Sequence, residues 1–305
     1  MPETINPHGL LNDDQFRVLT DWIGAFRIRR DFSWPLQDTA VFLCDSESGP
    51  VFVKAASGDR MTHHFTREIN GYEHLGNALG DQAPHMLHAD RDSNLIVVNQ
   101  LKGVLAEGSE WEFHPGVYRQ AGELMARMHA HGEGRSTDSY QQSMIDVTER
   151  MLDRGGHQLL AADQVAQIRS LLHEISLPSI PLVPTHGDFQ PRNWLVDPKE
   201  LTSDGSPRLR LIDFGRFNFR PWVSELGRLM HLGFVENPDL ERQVYLGMGK
   251  DPHQPLTDLE RSTRKLDLLT NAVTTVVWAW EMGDDNFHRA GYTMLERVLK
   301  NWDDL

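Results

Sequence analysis

Thr185-His186-Gly187-Asp188-Phe189-Gln190-Pro191-Arg192-Asn193 and, a short interval later, Leu211-Ile212-Asp213-Phe214-Gly215 set three oxygen-bearing side chains in a fixed order. Asp188 is the candidate base: a carboxylate able to sit beside a hydroxyl nucleophile, accept its proton and orient the attack. With an intrinsic pKa near ~3.9 it is a weak base, so alignment is its main contribution. Asn193 offers an amide oxygen and Asp213 a carboxylate. Both are hard ligands suited to Mg²⁺, which keeps several waters and binds through few protein groups plus phosphates. Such a set fits phosphoryl transfer, which needs positioning and charge neutralisation more than covalent chemistry. Each residue alone is an ordinary turn residue; the ordered set carries the reading.

The flanks support a strand-loop-strand arrangement. Leu182 and Val183 lead in, Trp194-Leu195-Val196 lead out, and residues 209–212 form a second strand before Asp213, with a turn over 199–207. Gly187 and Gly215 fall where the backbone needs unusual torsions. His186 reads as a hydrogen-bonding brace for the loop rather than a general base. In the N-terminal half, Val51-Phe52-Val53-Lys54-Ala55 is a short apolar strand carrying one of only six lysines. A helix predicted over 62–76 follows, with Phe65, Ile69, Tyr72 and Leu75 at helical spacing. Glu68 is the candidate ion-pair partner of Lys54; Glu73, the rival, lies farther round the helix.

These residues resemble the aminoglycoside phosphotransferase-like kinases, a family that includes antibiotic, choline and other small-molecule kinases. The carriers are His186-Gly187-Asp188, Asn193, Ile212-Asp213-Phe214-Gly215, Lys54 and Glu68, together with Gln120-Ala121-Gly122-Glu123-Leu124-Met125-Ala126-Arg127-Met128-His129, similar to the first long helix of the family's C-lobe. The likeness covers about residues 25–300. It implies an α+β, two-lobed protein-kinase-like fold: a small mixed N-lobe with an antiparallel sheet over 1–101, and a larger, mainly helical C-lobe over 102–305. It implies ATP or GTP as donor, Mg²⁺ on Asn193 and Asp213, and Lys54 on the α- and β-phosphates. It also implies a hinge at Asn94-Leu95-Ile96-Val97-Val98-Asn99-Gln100-Leu101-Lys102-Gly103, where backbone groups of Asn99, Gln100 and Leu101 pair with the purine. The chain departs from the pattern in three places. Phe32-Ser33-Trp34-Pro35-Leu36-Gln37-Asp38-Thr39 stands where a Gly-x-Gly-x-x-Gly phosphate loop would lie. Arg220-Pro221-Trp222-Val223-Ser224-Glu225 replaces a Gly-Asp-Pro segment, with Glu225 in the later acidic position. Gln190 occupies a place often held by histidine.

Composition bounds the rest. The 305 residues are 39% hydrophobic and 24% charged, ordinary for a soluble globular chain long enough for one large domain or two lobes. No apolar run approaches ~20 residues, so no membrane span is expected. The start lacks a signal-like region, and the lone Cys44 sits in an apolar strand, so a cytoplasmic location is expected. A net charge of −14 disfavours nucleic acid and attracts a cationic acceptor. The acidic excess is spread through both halves, so this is a lean only.

Asn12-Asp13-Asp14 reads as a helix start with Phe16, Leu19, Trp22 and Ile23 in one stripe. Strands are predicted over 25–28, 40–44, 51–55 and 95–98, and helices over 116–130, 139–152, 163–175, 221–233, 258–282 and 286–301. For the acceptor, Thr274-Thr275-Val276-Val277-Trp278-Ala279-Trp280-Glu281-Met282-Gly283-Asp284-Asp285 supplies Trp280 for stacking and Glu281, Asp284 and Asp285 for ammonium or hydroxyl groups; a core helix with a solvated acidic turn accounts for the same residues. The expected activity is transfer of a γ-phosphoryl group to a hydroxyl of a small molecule, foremost an antibiotic of aminoglycoside, nucleoside, peptide or macrolide type. A metabolite kinase acting on choline or a sugar, and a nucleotide-binding pseudokinase, are the alternatives.

Overall fold

The computed structural model describes residues 10–33, 39–56, 59–131 and 134–305; residues 34–38, most of the segment expected in place of a phosphate loop, lie outside them. The chain divides into two compact units, the first built from Met1–Gly132, Pro184–Asn218 and Gln243–Gly249, the second from Glu133–Val183, Phe219–Arg242 and Lys250–Leu305.

The first unit opens with α1 (Asp13–Ile23). Asn12 caps it reciprocally: its Oδ1 accepts the Gln15 N–H at 2.8 Å while Gln15 Oε1 accepts the Asn12 N–H at 3.2 Å. Five strands follow, β1 (Arg27–Asp31), β2 (Thr39–Ser46), β3 (Gly49–Ala56), β4 (Met86–Asp90) and β5 (Leu95–Asn99), with α2 (Asp59–Leu79) between β3 and β4. They form an antiparallel sheet in the order β1-β2-β3-β5-β4. Two-residue alternation sends Phe42, Val51, Val53 and Val97 to one face, where they bury against Leu19 and Ile23 of α1. Each such side chain contributes ~1.5–3 kcal/mol. The strand pairs Val41↔Lys54, Leu43↔Phe52, Phe52↔Val98 and Lys54↔Ile96 share the opposite face. Strand β4 was not expected: as the edge strand, Met86-Leu87-His88-Ala89-Asp90 carries no two-residue apolar pattern.

Beyond β5 come β6 (Val104–Leu105) and α3 (Pro115–Ala130). In the second unit β7 (Arg135–Thr137) precedes α4 (Tyr140–Met151), a π-helical turn at Leu152–Gly156, α5 (His157–Leu159) and α6 (Ala162–Glu174), and the chain turns back through β8 (Ile180–Thr185). The hairpin of β9 (Trp194–Leu201) and β10 (Pro207–Leu211) belongs to the first unit. Its strands are longer and its turn tighter than the 199–207 interval suggested. Strand β6 pairs with β9, and Gln120 of α3 bridges β10, donating to Pro207 O at 2.9 Å and accepting the Leu209 N–H at 3.0 Å. These contacts tie the β9–β10 hairpin into the first compact unit, whose bounds therefore differ from a division at residue 101.

Strand β11 (Asn218–Arg220) leads into the rest: a 3-10 turn at Trp222–Leu226, α7 (Gly227–His231), α8 (Gly233–Glu236), α9 (Asp239–Gly247), α10 (Asp258–Glu281) and α11 (Asp285–Lys300). The single helix expected over 221–233 is thus broken, at Leu232, and α9 was unforeseen. Ile145, Ile168, Leu172, Leu269, Val273 and Leu295 anchor the second unit's core. Within it Asp267, 4% exposed, accepts the Tyr140 hydroxyl at 2.6 Å through Oδ1, while its Oδ2 has no hydrogen-bond partner. Burial raises its pKa to about 7, against the opposing pull of Tyr140 and the Arg220 charge.

Candidate active site

Lys54, Glu68, Asp188, Asn193 and Asp213 all belong to the first unit. Strand β3 presents Lys54, whose Nζ donates to Glu68 Oε1 at 2.6 Å and to Asp213 Oδ1 at 3.2 Å. Glu73 instead pairs with Arg91 at 2.9 Å. Burial works against the Lys54 charge, but Asp213 and Glu68 more than offset it, and its pKa lies above the usual lysine range. Burial raises Glu68, with Lys54 opposing; the Lys54 charge lowers Asp213, with burial opposing. The Tyr72 hydroxyl also points to Glu68 Oε1, at 3.4 Å, and the Tyr72 ring meets Phe214 edge-on at 5.1 Å. Helix α2 comes close here because Gly71 lacks a side chain: a Cβ there would lie 2.6 Å from Phe214 Cβ.

The loop after β8 is shaped by Gly187, at φ +80°, where a Cβ would lie 2.2 Å from the Arg216 carbonyl oxygen. His186 is fully buried, with Nε2 2.9 Å from Ile212 O and Nδ1 accepting the Asp188 N–H at 3.3 Å, the bracing role expected of it. Asp188 is 5% exposed. Its Oδ1 accepts from Gln190 Nε2 at 2.6 Å, and its Oδ2 from Arg192 Nη2 at 2.6 Å and Asn193 Nδ2 at 3.1 Å. Asn193 Nδ2 also donates to Asp188 O at 2.8 Å. With its amide N–H groups committed there, the Asn193 oxygen is the atom of this side chain that could take a cation. Asp213 adopts φ +69°, one of two non-glycine residues with positive φ among the described residues, and accepts the Gly215 N–H at 3.3 Å. Aspartate tolerates this left-handed torsion better than most side chains do, and here it turns the chain beside Lys54. Among the described residues no group of three or more His, Cys, Asp or Glu could hold a metal. One amide oxygen plus one carboxylate fits a Mg²⁺ that takes its other ligands from phosphates and water.

Of the three residues expected at a hinge, Asn99 and Gln100 already use their backbone N–H groups, on His85 O at 3.1 Å and Pro50 O at 3.4 Å. The Asn99 side chain accepts the His85 N–H at 2.6 Å. The acceptor candidates belong to the second unit. Glu281 forms a two-pronged pair with Arg154, at 2.9 and 2.5 Å, and Asp284 caps α11 by accepting the Phe287 N–H at 2.9 Å. Asp285 lies in the first turn of α11, and Trp280 is 41% exposed. Three further residues at the site carry no role by sequence pattern alone. Gln190 and Arg192, inside the quoted motif, are the partners of Asp188; donor type and the four-residue spacing from Asp188 to Arg192 were the available signal. Phe52 shares the Lys54 face of β3 by simple alternation, and its ring lies 5.4 Å from that of Phe32.

A family model described as "Phosphotransferase enzyme family" matches residues 34–262. No curated protein sequence matches the chain. Solved structures with a similar fold include APH(2")-IIia in complex with GDP and kanamycin (13% identity, 94% of this chain and 99% of that one, TM-score 0.68). Another is APH(2")-IIa with gentamicin (16%, 95% and 96%, 0.64). A third is macrolide 2'-phosphotransferase MphH from Brachybacterium faecium (16%, 93% and 98%, 0.62). These likenesses establish the α+β fold expected above, an antiparallel-sheet part and a mainly helical part. Among the described residues no helix is long and apolar enough to cross a membrane.

Proposed function

The chain belongs to the phosphotransferase enzyme family, and from that premise we propose that it transfers the γ-phosphoryl group of ATP or GTP to a hydroxyl of a small-molecule antibiotic. One observation carries the reading: Lys54 and Asp213, 159 positions apart, meet through the Lys54 ammonium, which also bonds to Glu68. An ammonium so held is a fixed positive charge suited to nucleotide phosphates.

In this reading Lys54, oriented by Glu68, would bind the α- and β-phosphates. Asn193 and Asp213 would hold Mg²⁺, which when bound would supply neutralising charge at the phosphate oxygens. Asp188 aligns the acceptor and takes its proton as the acceptor oxygen bonds to the γ-phosphorus; the bridging oxygen leaves on the nucleoside diphosphate. Phe52, half-buried on the Lys54 face, offers the purine a stacking surface. Since Asn99 and Gln100 already donate within the sheet, we assign the hinge N–H that meets the purine to Leu101. For the acceptor we retain Trp280 and Asp285, whereas Glu281 and Asp284 serve Arg154 and the α11 cap. Support for an antibiotic acceptor comes from family membership and from the fold shared with proteins bound to gentamicin and kanamycin. The net charge of −14 favours a cationic one.

The test is expression in a sensitive bacterial host challenged with aminoglycoside, macrolide, nucleoside and peptide antibiotics, beside Asp188→Asn. Protection that depends on Asp188 supports the reading. No protection, combined with turnover of choline or a sugar by the purified protein, would replace it with a metabolite kinase.

A further inference from the structure

Asp188 cannot receive an acceptor hydroxyl at Oδ2 while both donors to that oxygen stay in place. Three side chains donate to its two oxygens: Gln190 to Oδ1, and Arg192 and Asn193 to Oδ2. Gln190 is 6% exposed and Asn193 5%, and Asn193 is bound a second time to the Asp188 carbonyl. Arg192 differs. Its side chain is 37% exposed, and the bond to Asp188 uses one N–H of a guanidinium that carries five. It is therefore the donor free to turn.

Where it turns is set by the loop. Pro191–Asn193 is one 3-10 turn, so Arg192 directly precedes the amide assigned to the metal. Its Nη2 lies 2.6 Å from Asp188 Oδ2, an oxygen that also accepts the Asn193 amide at 3.1 Å, so the guanidinium adjoins both the base and the amide assigned to the metal. The other cation of the group, Lys54, is already held between Glu68 and Asp213. A planar guanidinium matches paired phosphoryl oxygens better than an ammonium does.

We propose that Arg192 is a catalytic residue, which leaves Asp188 when nucleotide binds and carries its charge to the oxygens of the transferred phosphoryl group. The inference rests on the phosphotransferase reading. The exchange serves both ends of the step: Oδ2 of Asp188 becomes available to the hydroxyl and its proton, and the charge spreading over the phosphoryl oxygens meets a cation. No bond to Arg192 is made or broken. The oxygen of the acceptor replaces the bridging oxygen on phosphorus, and the proton passes to Asp188.

The experiment uses the full chain with Mg²⁺ and ATP or GTP, water serving as acceptor, so that no antibiotic has to be identified. Wild type, Arg192→Ala and Arg192→Lys are compared for phosphate release and for trapping of Mg-ADP or Mg-GDP by aluminium fluoride, a mimic of the group in flight. Arg192→Ala is expected to lose about 10²–10³-fold in kcat, the scale of a lost oxyanion-type donor, with nucleotide KM nearly unchanged. Added guanidinium ion should restore part of the rate, Arg192→Lys should recover only a minor fraction, and fluoride trapping should vanish while plain Mg-ADP binding persists. Wild-type turnover and trapping in Arg192→Ala would overturn the proposal. So would a loss of Mg-ADP binding without guanidinium rescue, which would make Arg192 a structural brace. Wild-type protein that binds neither nucleotide would instead sink the phosphotransferase reading, and this inference with it.

Discussion

Asp267→Asn should make stability less sensitive to pH. In the folded chain the Asp267 carboxyl is raised from 3.8 to about 7, because a carboxylate 4% exposed, with one hydroxyl donor and an unpartnered oxygen, is poorly solvated. Between those two values the folded state keeps a proton that the unfolded state has released. The unfolded state thus binds fewer protons, and stability falls as pH rises, by about 1.4 kcal/mol per pH unit from this group. The penalty is absent below the unfolded pKa and complete above the folded one, on the order of 4 kcal/mol in all. Asparagine keeps the shape and the acceptor for Tyr140 but cannot ionise. Urea unfolding of both proteins at pH 5, 6, 7 and 8 should show the variant gaining on wild type by roughly 2–3 kcal/mol across that range. A difference between the two that stays constant with pH would refute the reasoning. It would mean that the Arg220 charge stabilises the carboxylate well enough for Asp267 to ionise in place.

Asp188→Asn should abolish transfer while leaving nucleotide affinity within a few-fold, read by calorimetric titration with Mg-ADP beside a turnover assay; equal loss of both would remove Asp188 from the chemical step. Asp213→Ala should weaken Mg-nucleotide binding itself, with a smaller effect on metal-free nucleotide. For Glu68→Gln, we expect about a 10²-fold fall in kcat/KM, equivalent to ~2.7 kcal/mol of lost Lys54 positioning. Its stability should change far less, since removing a buried carboxylate also removes its desolvation cost; unchanged kcat/KM would show that Asp213 alone holds Lys54. Gly187→Ala must place a Cβ 2.2 Å from the Arg216 carbonyl oxygen at positive φ, so a loss of about 2–4 kcal/mol in thermal or urea unfolding is expected, together with impaired turnover.

Local chemistry made much of this molecule legible. The Asp188-Asn193-Asp213 order, the amphipathic helix bearing Glu68 and the apolar strand bearing Lys54 are short-range patterns, and each appears where expected. The choice of Glu68 over Glu73 followed from helix geometry alone: three and four residues on from Phe65 and before Tyr72, Glu68 shares the buried face. Elements without such a pattern were missed. Strand β4 is an edge whose side chains need not alternate, and the helix read over 221–233 breaks because apolar spacing continues through a point where the backbone turns at Leu232.

The residue types at the site, their order and the family were determined by the sequence itself, since charge, ligand hardness and helical period are properties of neighbours along a chain. Only the tertiary structure decided which partners those groups take. Lys54 and Asp213 are 159 residues apart, and Glu281, free by sequence to meet a cationic acceptor, is spent on Arg154, 127 residues away. Hydrogen bonds and ion pairs saturate, and which of several eligible partners claims a donor depends on distances that folding alone creates.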